Sequence, residues 1–199
     1  EVHHRIKNNL QGVAGLLQQI AKRKPEVAGA IDEVVGQVHA IAQVYGLQVG
    51  DTGPLALARV LEAITASVQR TFGRTIRYRV EGKGVKDWTL PEVEAIPVAL
   101  TLNELLTNAI KHSPDGDATE EVSCLLEADV DGVHVVISNR AQLPAGFRLA
   151  RIPNGVSGLG LVRALLPRRN ATLRIEQAGD HVLARVDLRE PLVARSGGA

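Results

Sequence analysis

Apolar residues recur across positions 1–50 in alternating steps of four and three. They fall at Ile6, Leu10, Val13, Leu17 and Ile20, and after the break Lys22-Arg23-Lys24-Pro25 they resume at Val27, Ile31, Val34, Val38, Ile41 and Tyr45. That spacing marks helices packed side by side. A short Pro-containing turn between two of them makes an antiparallel hairpin. A lone helical pair buries too little apolar surface to stand by itself. Two copies pairing into a four-helix bundle would cover the seams; the alternative is a hairpin folded onto the rest of its own chain.

The breaker cluster Gly50-Asp51-Thr52-Gly53-Pro54 divides residues 1–50 from a second region, 54–190. There the pattern predicts a helix over 55–71 ending near Gly73, a strand over 75–80 and a turn at 81–84. A long helix follows over 91–112, where Pro97 predicts either a kink or a start near Ile96. Strands over 121–128 and 133–139 flank an Asp131-Gly132 turn. A glycine-rich turn then leads into a helix over 159–166, and strands over 172–177 and 182–188 meet at Gly179-Asp180. The class is α+β: a helical hairpin, then a mixed sheet with helices on one face. The tail 196–199 is expected to be disordered.

With 45% apolar and 23% charged residues the chain lies in the globular range. A net charge of +1 gives no electrostatic reason to expect nucleic acid or membrane as a partner. No apolar run approaches the roughly 18 residues of a membrane span, so a cytoplasmic setting is expected. The single Cys124 excludes an internal disulfide, and its apolar neighbours predict a buried strand thiol. A chain without methionine that begins inside a motif is expected to be a piece of a longer protein, with any sensory or anchoring part upstream.

Two clusters can carry chemistry. Counting back one heptad from Leu10 puts His3 on the helical seam, whereas His4, Lys7 and Asn8 share a solvent-facing surface. An exposed, oriented imidazole can accept a phosphoryl group at a ring nitrogen. Further on, Glu104, Asn108, Lys111 and His112 fall at i, i+4, i+7 and i+8, one polar stripe on an otherwise apolar helix. The Asn108 amide oxygen is a hard ligand suited to Mg²⁺, Lys111 can neutralise phosphate charge, and His112 can donate a hydrogen bond. Glu104 is placed to accept or position a proton. In Gly155-Val156-Ser157-Gly158-Leu159-Gly160-Leu161-Val162, glycines at a helix start allow backbone N–H groups close to phosphate. Each signal is weak alone; in this order they read as two halves of a phosphate clamp.

The order of motifs resembles the catalytic core of a sensor histidine kinase. His-His-Arg-Ile-Lys-Asn-Asn-Leu-Gln at residues 3–11 is similar to the phosphoacceptor box of the HisKA_2 subgroup, close to the HWE kinases, and the match makes His4 the phosphorylated residue. Residues 103–112 resemble the family's N box, which implies roles in magnesium coordination, catalysis and phosphate contact for Asn108, Glu104, Lys111 and His112. Residues 157–161, with Gly158, Leu159, Gly160 and Leu161, resemble its G2 box. The resemblance implies a dimerisation and phosphotransfer hairpin followed by a Bergerat-type (GHKL) ATP-binding α/β sandwich. It further implies ATP and Mg²⁺ as cofactors, a homodimer, and a response-regulator receiver domain as partner. Asn8, one turn after His4, would position water for dephosphorylation of the regulator.

The chain departs from the family at the G1 box, which falls on Ser138-Asn139-Arg140-Ala141-Gln142-Leu143-Pro144. Ser138 takes the place of the adenine-binding aspartate, and Arg140 and Gln142 replace glycines; Asn139 can substitute in part. A neutral partner in place of a charged one is expected to weaken ATP binding by about one to two orders of magnitude or to shift base preference. The segment 145–154 is short for a lid over ATP. Three other readings are a non-catalytic phosphotransfer or dimeric scaffold protein, a GHKL ATPase of the mismatch-repair or chaperone type, and an anti-sigma-factor kinase. The last two need no His4 hairpin.

Overall fold

The computed structural model describes residues 1–49, 53–114, 122–167 and 169–196. Helices α1 (Val2–Arg23) and α2 (Ala28–Leu47) form the hairpin around a 3-10 turn at Pro25–Val27. Their mutual contact buries Ala14 and Ala21, with Leu10 and Leu17 half-buried beside them. Val13 and Ile20, seam positions by their spacing, are instead exposed, together with Leu16, Val27 and Val34. One intrachain contact uses one line of a helix, so the heptad pattern supplies a second line that a single chain leaves uncovered. The inner side of α2 packs on α3 (Leu57–Phe72) and α4 (Glu92–His112), and its Ala40 and Val44 join the same buried cluster as Leu61, Leu102 and Leu106. The hairpin therefore does fold partly onto the rest of its chain.

The second region is a five-stranded sheet with α3, α4 and α5 (Gly158–Leu165) on one face. Its order is β2 (Ile76–Glu81), β4 (Val122–Ala128), β5 (Gly132–Arg140), β7 (His181–Arg189), β6 (Ala171–Ala178), with only β2 and β4 parallel. Alternation sends Val133, Val135 and Ile137 inward, and Cys124 is fully buried, which pushes its thiol up to about 12. Gly73, left-handed at φ 62°, ends α3 where the sequence expected.

Three expectations are corrected. Helix α4 begins at Glu92, not near Ile96, and runs through Pro97. The carbonyl that Pro97 deprives of a donor is that of Val93, in the exposed first turn where water can serve it. The helix expected over 55–71 begins at Leu57: Leu55–Ala56 is strand β1, which with β3 (Trp88–Leu90) and β8 (Ala194–Arg195) forms a second small sheet, too brief to leave a period in the sequence. Ser196 is tied down, its N–H and hydroxyl both donating to the Asp87 carbonyl (2.6 and 2.7 Å). Gly50, Asp51, Thr52, Glu121 and the final residues 197–199 lie outside the described residues.

On the sheet's outer face, His134 lies between Asp187 (Nδ1 to Oδ1, 2.6 Å) and Asp129 (Nε2 to Oδ2, 2.7 Å). Burial pushes the Asp187 carboxyl up, but donation from Arg185, His134 and Thr172 outweighs it and holds the group below its ordinary range. A depressed carboxylate contributes stability above its unfolded value, about 3.9, and loses it as pH falls through the folded one. The melting temperature is therefore expected to drop as pH is lowered from 5 to 3. Asp187→Asn should start lower and show a shallower drop over that range, as followed by circular dichroism; parallel curves would contradict this.

Candidate active site

The α4 stripe divides between two cavities. Glu104 and Lys111 face a cleft of about 480 Å³ toward α2, shared with Glu33, Asn103 and His39. Asn108 and His112 face a second cavity, about 260 Å³, roofed by α4 and floored by β5, β6 and β7. Its walls are mainly apolar, with Leu105, Ile137, Leu159, Ile175 and Phe147. The two cavities share no lining residue and lie on different faces of α4, because the stripe spans neighbouring faces of one helix.

At the base of the second cavity stands Asn139, 5% exposed, its Nδ2 without a hydrogen-bond partner. Ser138, expected to line the pocket, points to the opposite face of β5 as strand alternation requires, and only Asn139 lies against the cavity. The segment after it is held by Gln177, whose Oε1 accepts from Leu143 N–H (2.8 Å) and whose Nε2 donates to the Ala141 carbonyl (3.0 Å). Gln177 carried no sequence signal, since an amide in a strand is commonplace until its partners are known.

The other end is built by the turn before α5. Gly158, left-handed at φ 57°, donates its N–H to Glu104 Oε2 at 2.8 Å. A Cβ on Gly160 would come within 2.9 Å of the Gly155 nitrogen and the Pro153 carbonyl oxygen, so the turn closes only over glycine. Burial pushes the Glu104 carboxyl above its ordinary range, offset in part by the Gln37 and Gly158 donors. Two side chains of α2 complete this end, one turn apart. Gln37 donates to Glu104 Oε1 (3.2 Å) and to the Val156 carbonyl (3.0 Å), and Glu33 pairs with Lys111 (3.3 Å). Neither was singled out from the sequence, where they are polar residues between heptad positions.

His3 packs its ring against Tyr45 (centroids 5.7 Å apart) and meets the Gln48 carbonyl at 3.4 Å. His4 is exposed; the Asn8 amide nitrogen lies 3.5 Å from its Nδ1, with Nε2 on the far side of the ring. The structure does not bring His4 to the pocket. From Gln37, which touches the glycine turn, to Tyr45, which touches His3, is eight residues of α2, about 12 Å of helix.

This arrangement, a helical hairpin against a sheet-and-helix domain with a cavity under its long helix, is that of histidine kinase cores. The histidine kinase family model HisKA_2 matches residues 1–72. The sensor histidine kinase PdtaS of Mycobacterium tuberculosis (strain CDC 1551 / Oshkosh) is 34% identical over 174 residues, covering 83% of this chain and 34% of that protein. PdtaS of Mycolicibacterium smegmatis is 32% identical over 100% of this chain and 40% of its own length. The chain thus spans about a third to two-fifths of these relatives. The histidine kinase domain of the Erythrobacter litoralis EL346 blue-light activated histidine kinase shares the fold, with a TM-score of 0.63 at 21% identity over 96% of this chain and 89% of that one. The chain belongs to the histidine kinases and is a sensor histidine kinase core. No helix among the described residues is long and apolar enough to cross a membrane.

Proposed function

We propose that this core autophosphorylates: the γ-phosphoryl group of ATP passes to His4 and from there to an aspartate on a response-regulator receiver domain. The observation that carries the reading is an apolar cavity under α4 whose lining includes both Asn108 and Leu159, the residue that follows Gly158 in the glycine turn. The apolar walls suit a purine ring, and the Asn139 amide lies against the cavity with its buried nitrogen unpartnered. Asn108 is the residue to hold Mg²⁺, which when bound neutralises phosphate charge. Gly158 N–H and Lys111 are the phosphate donors, each at present engaged by a carboxylate, Glu104 and Glu33.

In the transfer, a lone pair on a His4 ring nitrogen forms the N–P bond while the bond from phosphorus to the β,γ-bridging oxygen breaks, and ADP leaves with that electron pair. The proton of the other ring nitrogen passes to solvent. Glu104 organises the turn, and Asn8 orients the imidazole. Because His4 stands apart from its own pocket, transfer requires the domain to swing or the pocket to serve a second copy. The exposed line of Val13, Leu16, Ile20, Val27 and Val34 supports pairing of two hairpins into a four-helix bundle.

Glu33 and Gln37 then act as a clasp that incoming phosphates must open. Replacing both with alanine is expected to tighten binding of a non-hydrolysable ATP analogue by about fivefold, since the contacts are exposed or only partly buried and each is modest; calorimetry showing weaker binding would contradict this.

A non-catalytic scaffold is the second reading, favoured by Gln142 against the cavity where the resemblance expects a glycine. The two separate on incubation with Mg·ATP. The kinase reading predicts acid-labile, alkali-stable phosphate on the protein; a folded dimer that takes up none is the scaffold.

A further inference from the structure

Asn139 is a buried amide, and among the described residues no carboxylate lines the cavity it faces. Its Nδ2 has no protein partner and is closed off from the cavity, so turning the amide to bring that atom to the cavity gives up no hydrogen bond it makes. Buried polar groups in folded proteins are overwhelmingly paired, so this one is poised to gain from a ligand that pairs with it.

The two purines differ at the edge such a group would meet. Adenine carries an amino donor at C6 beside the N1 acceptor; guanine carries a carbonyl acceptor at C6 beside an N1–H donor. An amide holds one donor and one acceptor side by side, and a half-turn about its last bond exchanges them. It can accept from N6–H while donating to N1 of adenine, or donate to O6 while accepting from N1–H of guanine. A carboxylate in the same place only accepts; it rewards the 6-amino group and repels the 6-carbonyl. Gln142, a second amide, lines the same cavity and is equally two-faced. The walls from Leu105, Ile137 and Leu159 are apolar and blind to the difference.

We infer that this pocket takes guanine as well as adenine nucleotides, so that GTP serves beside ATP as phosphoryl donor. The inference rests on the nucleotide-dependent reading above and adds its substrate class. Asn139 is the specificity-determining residue.

The test is calorimetric titration of the full chain with the Mg²⁺ complexes of AMP-PNP and GMP-PNP. The expected dissociation constants lie within about tenfold of each other, because a satisfied bidentate contact is available to both bases. Asn139→Asp should raise the preference for the adenine analogue by about tenfold or more, while Asn139→Ala should weaken both alike. A wild-type preference for the adenine analogue above about a hundredfold overturns the inference, whether or not the variants fold. A folded Asn139→Asp protein with an unchanged ratio overturns it as well. If neither analogue binds at millimolar concentration, the kinase reading itself falls; binding of the adenine analogue alone leaves that reading standing and removes only the dual specificity.

Discussion

Alanine at His4 is expected to reduce the acid-labile phosphate formed from Mg·ATP to background, while alanine at His3 leaves it on the protein. The two neighbours differ in surroundings. His3 is half-buried against the Tyr45 ring and the Gln48 carbonyl, whereas His4 is exposed beside Asn8. A nucleophile must meet the phosphorus in line, and a ring held in the hairpin contact cannot do so without unpacking. His3→Ala instead costs stability, about 1 kcal/mol for the lost aromatic contact, seen as a lower melting temperature. Phosphohistidine detection on both variants, with circular dichroism to show folding, checks the pair. Phosphate surviving in His4→Ala and missing from His3→Ala would reverse the assignment.

Asn108→Ala is expected to remove the label by a different route. Its side chain lines the cavity and holds no described hydrogen bond, so the fold should survive the change. Loss of even an outer partner of a metal site commonly costs about 10–100-fold in metal affinity, and loss of a direct ligand should cost at least as much. Mg·ATP raises the melting temperature of any protein that binds it only when folded. The wild type and His4→Ala should both show that rise, and Asn108→Ala should lose it together with the label. An Asn108→Ala protein that keeps the rise and the label would take the residue out of the site.

The helices and main strands were legible because they follow long periods: the 4-3-4-3 spacing of α1 and α2, and the alternation of Val133, Val135 and Ile137. The same periodicity did not say what covers Val13 and Ile20, since it encodes apolar lines without saying which neighbour covers each. Strands β1, β3 and β8 have two or three residues each and leave no period at all. In the site, the α4 stripe and the glycine turn were visible as chemistry at fixed spacing. The exchange of Ser138 for Asn139 was not, because motif counting fixes an offset whereas the strand fixes a face. Glu33, Gln37 and Gln177 shape the site through partners distant in sequence, Lys111, Glu104 and Leu143 among them, and contacts of that kind have no local signature.

The central claim is that one polypeptide carries both the donor pocket and the acceptor histidine. Its most direct test is to incubate the chain with Mg·ATP labelled at the γ-phosphate and map the label by mass spectrometry under neutral conditions. The prediction is one phosphoryl group, located on His4. Label on any other residue, or none on a folded protein that binds the nucleotide, would contradict it.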